Sequence, residues 1–500
     1  MQSNCPILTI LVFMPLAGSL LVMLFRRHEA LCRQLTLAFT ALELVAAGWL
    51  YSLAHGLPPS SPSLHGYFIF QDFAWIERFG IRYTLGVDGI SLLMVLLTAF
   101  IMFIAVLLSR RAVTRYVASY HALLLAMTTG IMGVFLAVDL FLFYLFWEVM
   151  LIPMLLIIGI WGQGRPVYSA IKFFIFTLVG SLLMLLAVIG LYVIHGNQTG
   201  HYTFALHELV GTTVAPSVAF WLFVAFLLAF AVKVPIFPLH NWLPDAYTDA
   251  PPAGSLILAA LLAKTGAYGL IRFAYPLFPS AAALFTPLLL FLAVVSILYG
   301  SWIAYSQQDM KRLVAYSSFG HMGFIVLGIV AWTPVSLSGS VIQMVNHGIT
   351  TGGLFVLLGM LEERTNTNDI DAYGGLWDKI PLLSGFLLLF ALASVGLPGL
   401  NNFVGEFLVI AGVFREYPVA AVPAFFGIVL VLAYMLRMVQ KVLFVQEKAS
   451  LVLQDISLRE GFILSACAIV IIFLGVYPVP LLDLLETPVR LLAGGTGGLP

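Results

Sequence analysis

Four ionisable residues, Glu148, Lys233, Lys264 and Glu406, lie within stretches otherwise apolar enough to cross a bilayer. Holding such a group at mid-bilayer depth costs about 3 kcal/mol or more, so a chain that keeps four of them has a use for them. Lysine and glutamate share one chemistry there, the taking and giving of protons. A buried lysine releases its proton near neutral pH once its counter-charge withdraws, which an arginine cannot do. His321, after Ser-Ser-Phe-Gly, and His347, in Val-Asn-His-Gly-Ile-Thr-Thr-Gly-Gly, sit among hydroxyl and glycine residues suited to hydrogen-bonded chains. They read as relay stations between the charged sites.

Glu148 falls in Tyr-Leu-Phe-Trp-Glu-Val-Met and Lys233 in Ala-Val-Lys-Val-Pro-Ile-Phe-Pro. If their two helices touch, the pair forms an ion pair whose members titrate together. Pro235 and Pro238 interrupt the helix at Lys233, and Pro398-Gly399 interrupts the one carrying Glu406. Broken helices at membrane depth are tolerated where they line a cavity, which points to an ion pathway. Lys264, in Ala-Lys-Thr-Gly-Ala-Tyr-Gly, is too far from either helix end to snorkel, and Glu406 is the last protonatable site before the outer face. Lesser candidates have blander readings. Lys172 reads as interfacial, Glu43 as structural, Arg437 as an anchoring cation, and Asp139 as a solvated or exit-side acid. Asp245 and Asp249 either draw protons in or are ordinary loop acids.

The elements that must position these residues are transmembrane helices. Of 500 residues, 61% are hydrophobic and 9% charged, and the mean hydropathy is +1.05, outside the range of soluble domains. About fourteen apolar stretches are long enough to span, including 139–161, 216–238, 251–275, 311–331, 336–361 and 380–414. They are too uniformly apolar for barrel strands. The fold class expected is all-α and integral to the membrane, with spans 7 and 12 discontinuous. Basic residues favour alternate loops roughly threefold, which puts those loops in the cytoplasm and both termini outside. The first apolar run, about 7–25, reads as a span, not a cleaved signal.

Lys233 and Glu406 are 173 positions apart, and the same offset carries Glu148 to His321 and Lys264 to Arg437. The predicted organisation is therefore spans 1–3 with an outer loop (1–117), an inverted repeat over 118–278, a second over 279–448, and span 14 with a short tail (449–500). The loop at about 54–88 is expected to be a packed cap, and the residues after Pro480 too few for another long element. Cys5, Cys32 and Cys467 are isolated, and neither metal-ligand spacing nor a phosphate-binding loop occurs, so no cofactor or metal site is expected in this chain. Zero net charge suggests no nucleic-acid partner. A scaffold whose charges only lock helices together remains a rival reading.

Three motifs carry a family resemblance: Val-Lys-Val-Pro-Ile-Phe-Pro-Leu-His-Asn-Trp-Leu-Pro-Asp-Ala-Tyr (232–247), Ala-Lys-Thr-Gly-Ala-Tyr-Gly-Leu-Ile-Arg-Phe (263–273) and Gln-Asp-Met-Lys-Arg-Leu-Val-Ala-Tyr-Ser-Ser-Phe-Gly-His-Met-Gly (308–323). Over about residues 80–445 the chain resembles the proton-translocating membrane subunits of respiratory complex I and their Mrp cation/proton antiporter relatives. Gly-Val-Asp-Gly-Ile-Ser-Leu (86–92), Glu406 where other branches carry lysine, and the short tail favour the M-type (chain 4) branch. The resemblance implies that Glu148 and Lys233 are the family's ion pair, Lys264 its central lysine, His321 and His347 its linking histidines and Glu406 its terminal acid. It also implies L-like and N-like neighbours in an inner membrane. NADH, FMN, iron–sulfur clusters and quinone would then be handled by other subunits. A subunit of a multi-chain Na⁺/H⁺ antiporter is the alternative.

Overall fold

The computed structural model describes residues 6–55, 66–446 and 453–495. Among them, thirteen helices are long and apolar enough to cross a membrane. A further crossing is split into Pro381–Val395 and Asn401–Glu416, bringing the spans to the expected fourteen. Spans 8 (Pro252–Leu277) and 11 (Pro334–Thr365) are wholly enclosed over their central turns, with span 10 (Met310–Ala331) nearly so. Span 6 (Pro166–Thr199), span 9 (Pro279–Ser306) and span 13 (Pro418–Phe444) instead turn large apolar residues such as Leu186, Trp302 and Phe426 outward. In lipid, packing and polar contacts hold helices together, so the most polar spans belong in the centre.

Both predicted breaks occur. Span 7 (Pro216–Lys233) ends at Lys233, runs through turns over 234–242, and resumes as the short helix Leu243–Asp249. Pro235 and Pro238 lack the N–H that helical continuation needs. The Val232 carbonyl instead accepts from Trp242 Nε1 at 2.9 Å. In span 12 the first half stops at Gly396, whose φ of +77° is the left-handed conformation that glycine adopts without steric cost. Lys233 precedes its break and Glu406 follows its own, so the 173-residue offset relates the charges without superposing the interruptions.

Other features were not anticipated. Span 5 (Leu140–Trp161) is divided at Met150, one turn before Pro153 removes a backbone donor. Span 8 contains π-helical turns at Leu258–Leu262 and Leu270–Ala274. In the outer loop, residues 56–65 lie outside the described residues; the remainder forms an antiparallel hairpin of β1 (Ile69–Ile76) and β2 (Ile81–Val87), Ile69 opposite Val87. Thus the chain is not purely helical. Asp72 on β1 accepts from Arg82 and Thr84 on β2 (2.6–2.8 Å), a cross-strand clamp. The tail also departs from expectation. Val479–Gly495 is a 17-residue helix with Leu484, Leu485 and Val489 buried, because an amphipathic segment can bury one face against the bundle without crossing it.

Candidate proton-transfer site

The central enclosed spans bring four of the six predicted residues into one line. The π turn of span 8 sets the Ala259 carbonyl 2.6 Å from Lys264 Nζ. The same ammonium nitrogen lies 2.5 Å from His347 Nδ1 on span 11. His347 and His321 have ring centroids 5.6 Å apart. His321 Nδ1 is 2.8 Å from Glu406 Oε1, and its Nε2 is 3.3 Å from Ser394 Oγ. Glu406 Oε1 also accepts from Gln343 Nε2 at 3.1 Å. Lys264, His321 and His347 are fully buried and Glu406 is 2% exposed.

An imidazole suits this place because it can accept a proton at one nitrogen and release one from the other. His347 meets Lys264 through Nδ1 and keeps a buried Nε2 with no hydrogen-bond partner. Lysine, two histidines and glutamate thus form a row of groups whose chemistry allows each to hold a proton.

The other two residues stand apart from this row. Lys233 Nζ has no hydrogen-bond partner; it sits 5.0 Å from the Trp147 ring centroid and 5.7 Å from that of Phe173. Glu148 is half-buried, with Oε1 unpartnered. Among the described residues no direct Glu148–Lys233 ion pair forms, which corrects the expected salt bridge. Spans 5 and 7 meet through Trp147, whose ring lies 5.6 Å from that of Phe230 and against the Lys233 ammonium. Span 8 reaches Lys233 through Gly266, where an added Cβ would stand 3.0 Å from Lys233 Cβ. No side-chain bond joins Lys233 to Lys264 directly.

Several lesser candidates resolve into structural roles. Asp245 pairs with Lys172 (2.7 Å) and Arg312 (3.2 Å). Burial works against the charged form, but these two cations hold the carboxyl below the usual carboxylate range. Asp249 accepts from Ser169 Oγ at 2.5 Å and from the Arg165 N–H. Both acids are clamps on the short helix that follows the break in span 7. Asp139 is fully buried and caps span 5 through the Leu142 N–H, so it is not solvated. Arg437 anchors on Tyr305, bonding its carbonyl and covering its ring. Glu43 is buried with both oxygens unpartnered.

Reasoning from charge missed the uncharged polar residues around the break in span 12. Asn346 Nδ2 donates to the Asn401 carbonyl (2.6 Å), Asn401 Nδ2 to the Asn346 carbonyl (3.1 Å), and Thr350 Oγ1 to Asn401 Oδ1 (3.0 Å). The Asn-Asn pair just after Pro398-Gly399 was the available signal. Among the described residues no cluster of three or more metal-ligating side chains occurs.

A family model described as the NADH:quinone oxidoreductase/Mrp antiporter transmembrane region matches residues 137–432. NADH-quinone oxidoreductase subunit M of Escherichia coli (strain K12) is 43% identical over 457 residues, covering 90% of this chain and 88% of that one. The Pseudomonas aeruginosa subunit M is 42% identical over 486 residues, 96% of each. A chain in the respiratory complex I of Thermus thermophilus with bound NADH superposes with a TM-score of 0.86 at 34% identity, over 97% of this chain and 99% of that one. The membrane-bound sulfane sulfur reductase, an archaeal respiratory membrane complex, shares the fold at 23% identity with a TM-score of 0.86, over 99% of both chains. An enclosed Lys–His–His–Glu row inside a fourteen-span bundle, with these similarities along nearly the whole length, places the chain in the NADH:quinone oxidoreductase/Mrp antiporter family, in its NADH-quinone oxidoreductase subunit M group.

Proposed function

We propose that this membrane subunit of NADH-quinone oxidoreductase moves protons outward through Lys233, Lys264, His347, His321 and Glu406, with Glu148 controlling Lys233. The observation that carries the reading is the succession of Lys264, His347, His321 and Glu406 at the centre of the bundle, hydrogen-bonded at its two ends and with the imidazole centroids 5.6 Å apart between them.

The cycle runs on the coupling between Glu148 and Lys233. With Glu148 charged and near, Lys233 keeps its proton; when Glu148 withdraws, the apolar seat on Trp147 and Phe173 favours the neutral amine. The released proton passes along span 8 to Lys264, whose own proton moves to His347 Nδ1 while His347 gives one up from Nε2 toward His321. His321 delivers to Glu406, which discharges outward. Redox chemistry in partner subunits, where NADH, flavin, iron–sulfur clusters and quinone act, supplies the drive. Moving a charge against 100 mV requires about 2.3 kcal/mol, within reach of a pKa change of about two units. L-like and N-like subunits flank the chain in the inner membrane, and both termini face outward.

Lys264→Met keeps the length of the side chain and removes the proton site. In the assembled complex, reconstituted in vesicles, this variant should cease to contribute to proton transport while span packing survives. Transport at the parent ratio of protons to electrons would overturn the relay.

A further inference from the structure

A buried ion pair outside the relay points to where protons are taken up. Lys311, in the first turn of span 10, is fully buried, and its Nζ lies 2.6 Å from Glu362 Oε2 near the end of span 11. Glu362 Oε1 accepts from Asn368 Nδ2 at 2.7 Å. Glu362 is also in the wall of a cavity of about 820 Å³ on the loop side assigned to the cytoplasm, together with Glu363, Arg364, Arg459 and Glu460. Lys311 is behind that wall. The pair therefore joins a polar basin to the protein interior.

From the pair, two helix faces lead to the relay. On span 10, Lys311, Ser318 and His321 follow at intervals of seven and three; on span 11, Glu362, Thr351 and His347 follow at eleven and four. These spacings keep each set on one side of its helix, and the two spans pack together. Ser318 Oγ and Thr351 Oγ1 are buried without a hydrogen-bond partner within 3.5 Å. Ten residues of helix rise, about 15 Å, separate Lys311 from His321.

We propose that Lys311 and Glu362 form a proton-loading station that feeds the histidines of the relay from the cytoplasmic basin along the seam between spans 10 and 11. This rests on the relay reading above. A proton from the basin neutralises Glu362, and Lys311, deprived of its counter-charge, passes its own proton into the seam. Glu362 then protonates Lys311 and the pair is restored. One proton enters and one leaves.

The test uses the whole complex in proteoliposomes, with NADH-driven proton transport and electron transfer measured together. Lys311→Met combined with Glu362→Leu replaces the pair by apolar side chains, an exchange that buried ion pairs often tolerate without loss of stability. Glu362→Gln alone can still accept from Asn368 and Lys311 but cannot hold a proton. Both should lower the protons moved per electron below the parent ratio while the complex assembles. Parent-level transport in either would overturn the loading station if Lys264→Met is defective. Parent-level transport in all three would overturn the relay itself. Should the double variant fail to assemble, Glu362→Gln decides the matter.

Discussion

Two lysines in neighbouring spans show how far surroundings decide a side chain's chemistry. Lys264 is held by a carbonyl and an imidazole, whereas Lys233 rests only on aromatic faces. A cation over an aromatic ring gains about 0.5–2 kcal/mol, less than burial of an ammonium costs, so the charge of Lys233 depends on Glu148. Asp245 is the opposite case, a carboxylate fixed in its charged form by Lys172 and Arg312. Its depressed pKa stabilises the fold above the ordinary carboxylate value of about 4, and that contribution is lost as the pH falls through the lower folded-state value. Asp245→Asn should lower stability by about 2 kcal/mol, seen as faster thermal loss of activity, while protons moved per electron stay at the parent ratio. A fall in that ratio would return Asp245 to the transport path. The buried charged residues Lys233, Lys264 and Glu406 were legible in the sequence because each is costly in an apolar run. Gln343, Asn346 and Asn401 carry no such penalty large enough to stand out, and only the fold brings them to the break.

At the scale of elements, interrupted helices set the distances. Gly396 ends the first half of span 12 in a left-handed conformation, and a Cβ there would stand 3.1 Å from Glu406 Oε2. Gly399, at φ +93°, has open space around the same position. Alanine at either site costs about 1–2 kcal/mol of backbone strain, but only Gly396→Ala also presses on Glu406. Proton transport should therefore fall further in Gly396→Ala than in Gly399→Ala, measured in vesicles on equal amounts of assembled complex. Equal effects would show that strain, not the carboxylate, is at issue. Both breaks were readable from Pro-rich or Pro-Gly runs. The π turns of span 8 were not, since Leu-Ala-Ala-Leu-Leu is equally at home in an ordinary α-helix.

The whole molecule is arranged inside out with respect to polarity. Spans 8 and 11, which carry Lys264 and His347, are wholly enclosed over their central turns, while spans 1, 2, 13 and 14 leave more than half of theirs short of full burial. Backbone amides of spans 8 and 11 should exchange with solvent deuterium far more slowly than those of spans 2 and 14, followed peptide by peptide in detergent. Uniform exchange would contradict the enclosed core. Number of spans, membrane class and the existence of two breaks followed from hydropathy and proline alone. The hairpin and the helix Val479–Gly495 did not, because short amphipathic segments gain their order from the surface they lie on.

That enclosure bears on how the chain is made. Span 11 is the least apolar of the thirteen long spans, and its central turns are enclosed by protein on every side. Synthesis delivers it before span 12 brings Asn401 and Glu406 to meet Asn346, Gln343 and His321. For that interval the nascent chain holds a polar helix whose partners have not left the ribosome. Biogenesis of this subunit must shelter span 11 until the next helix arrives.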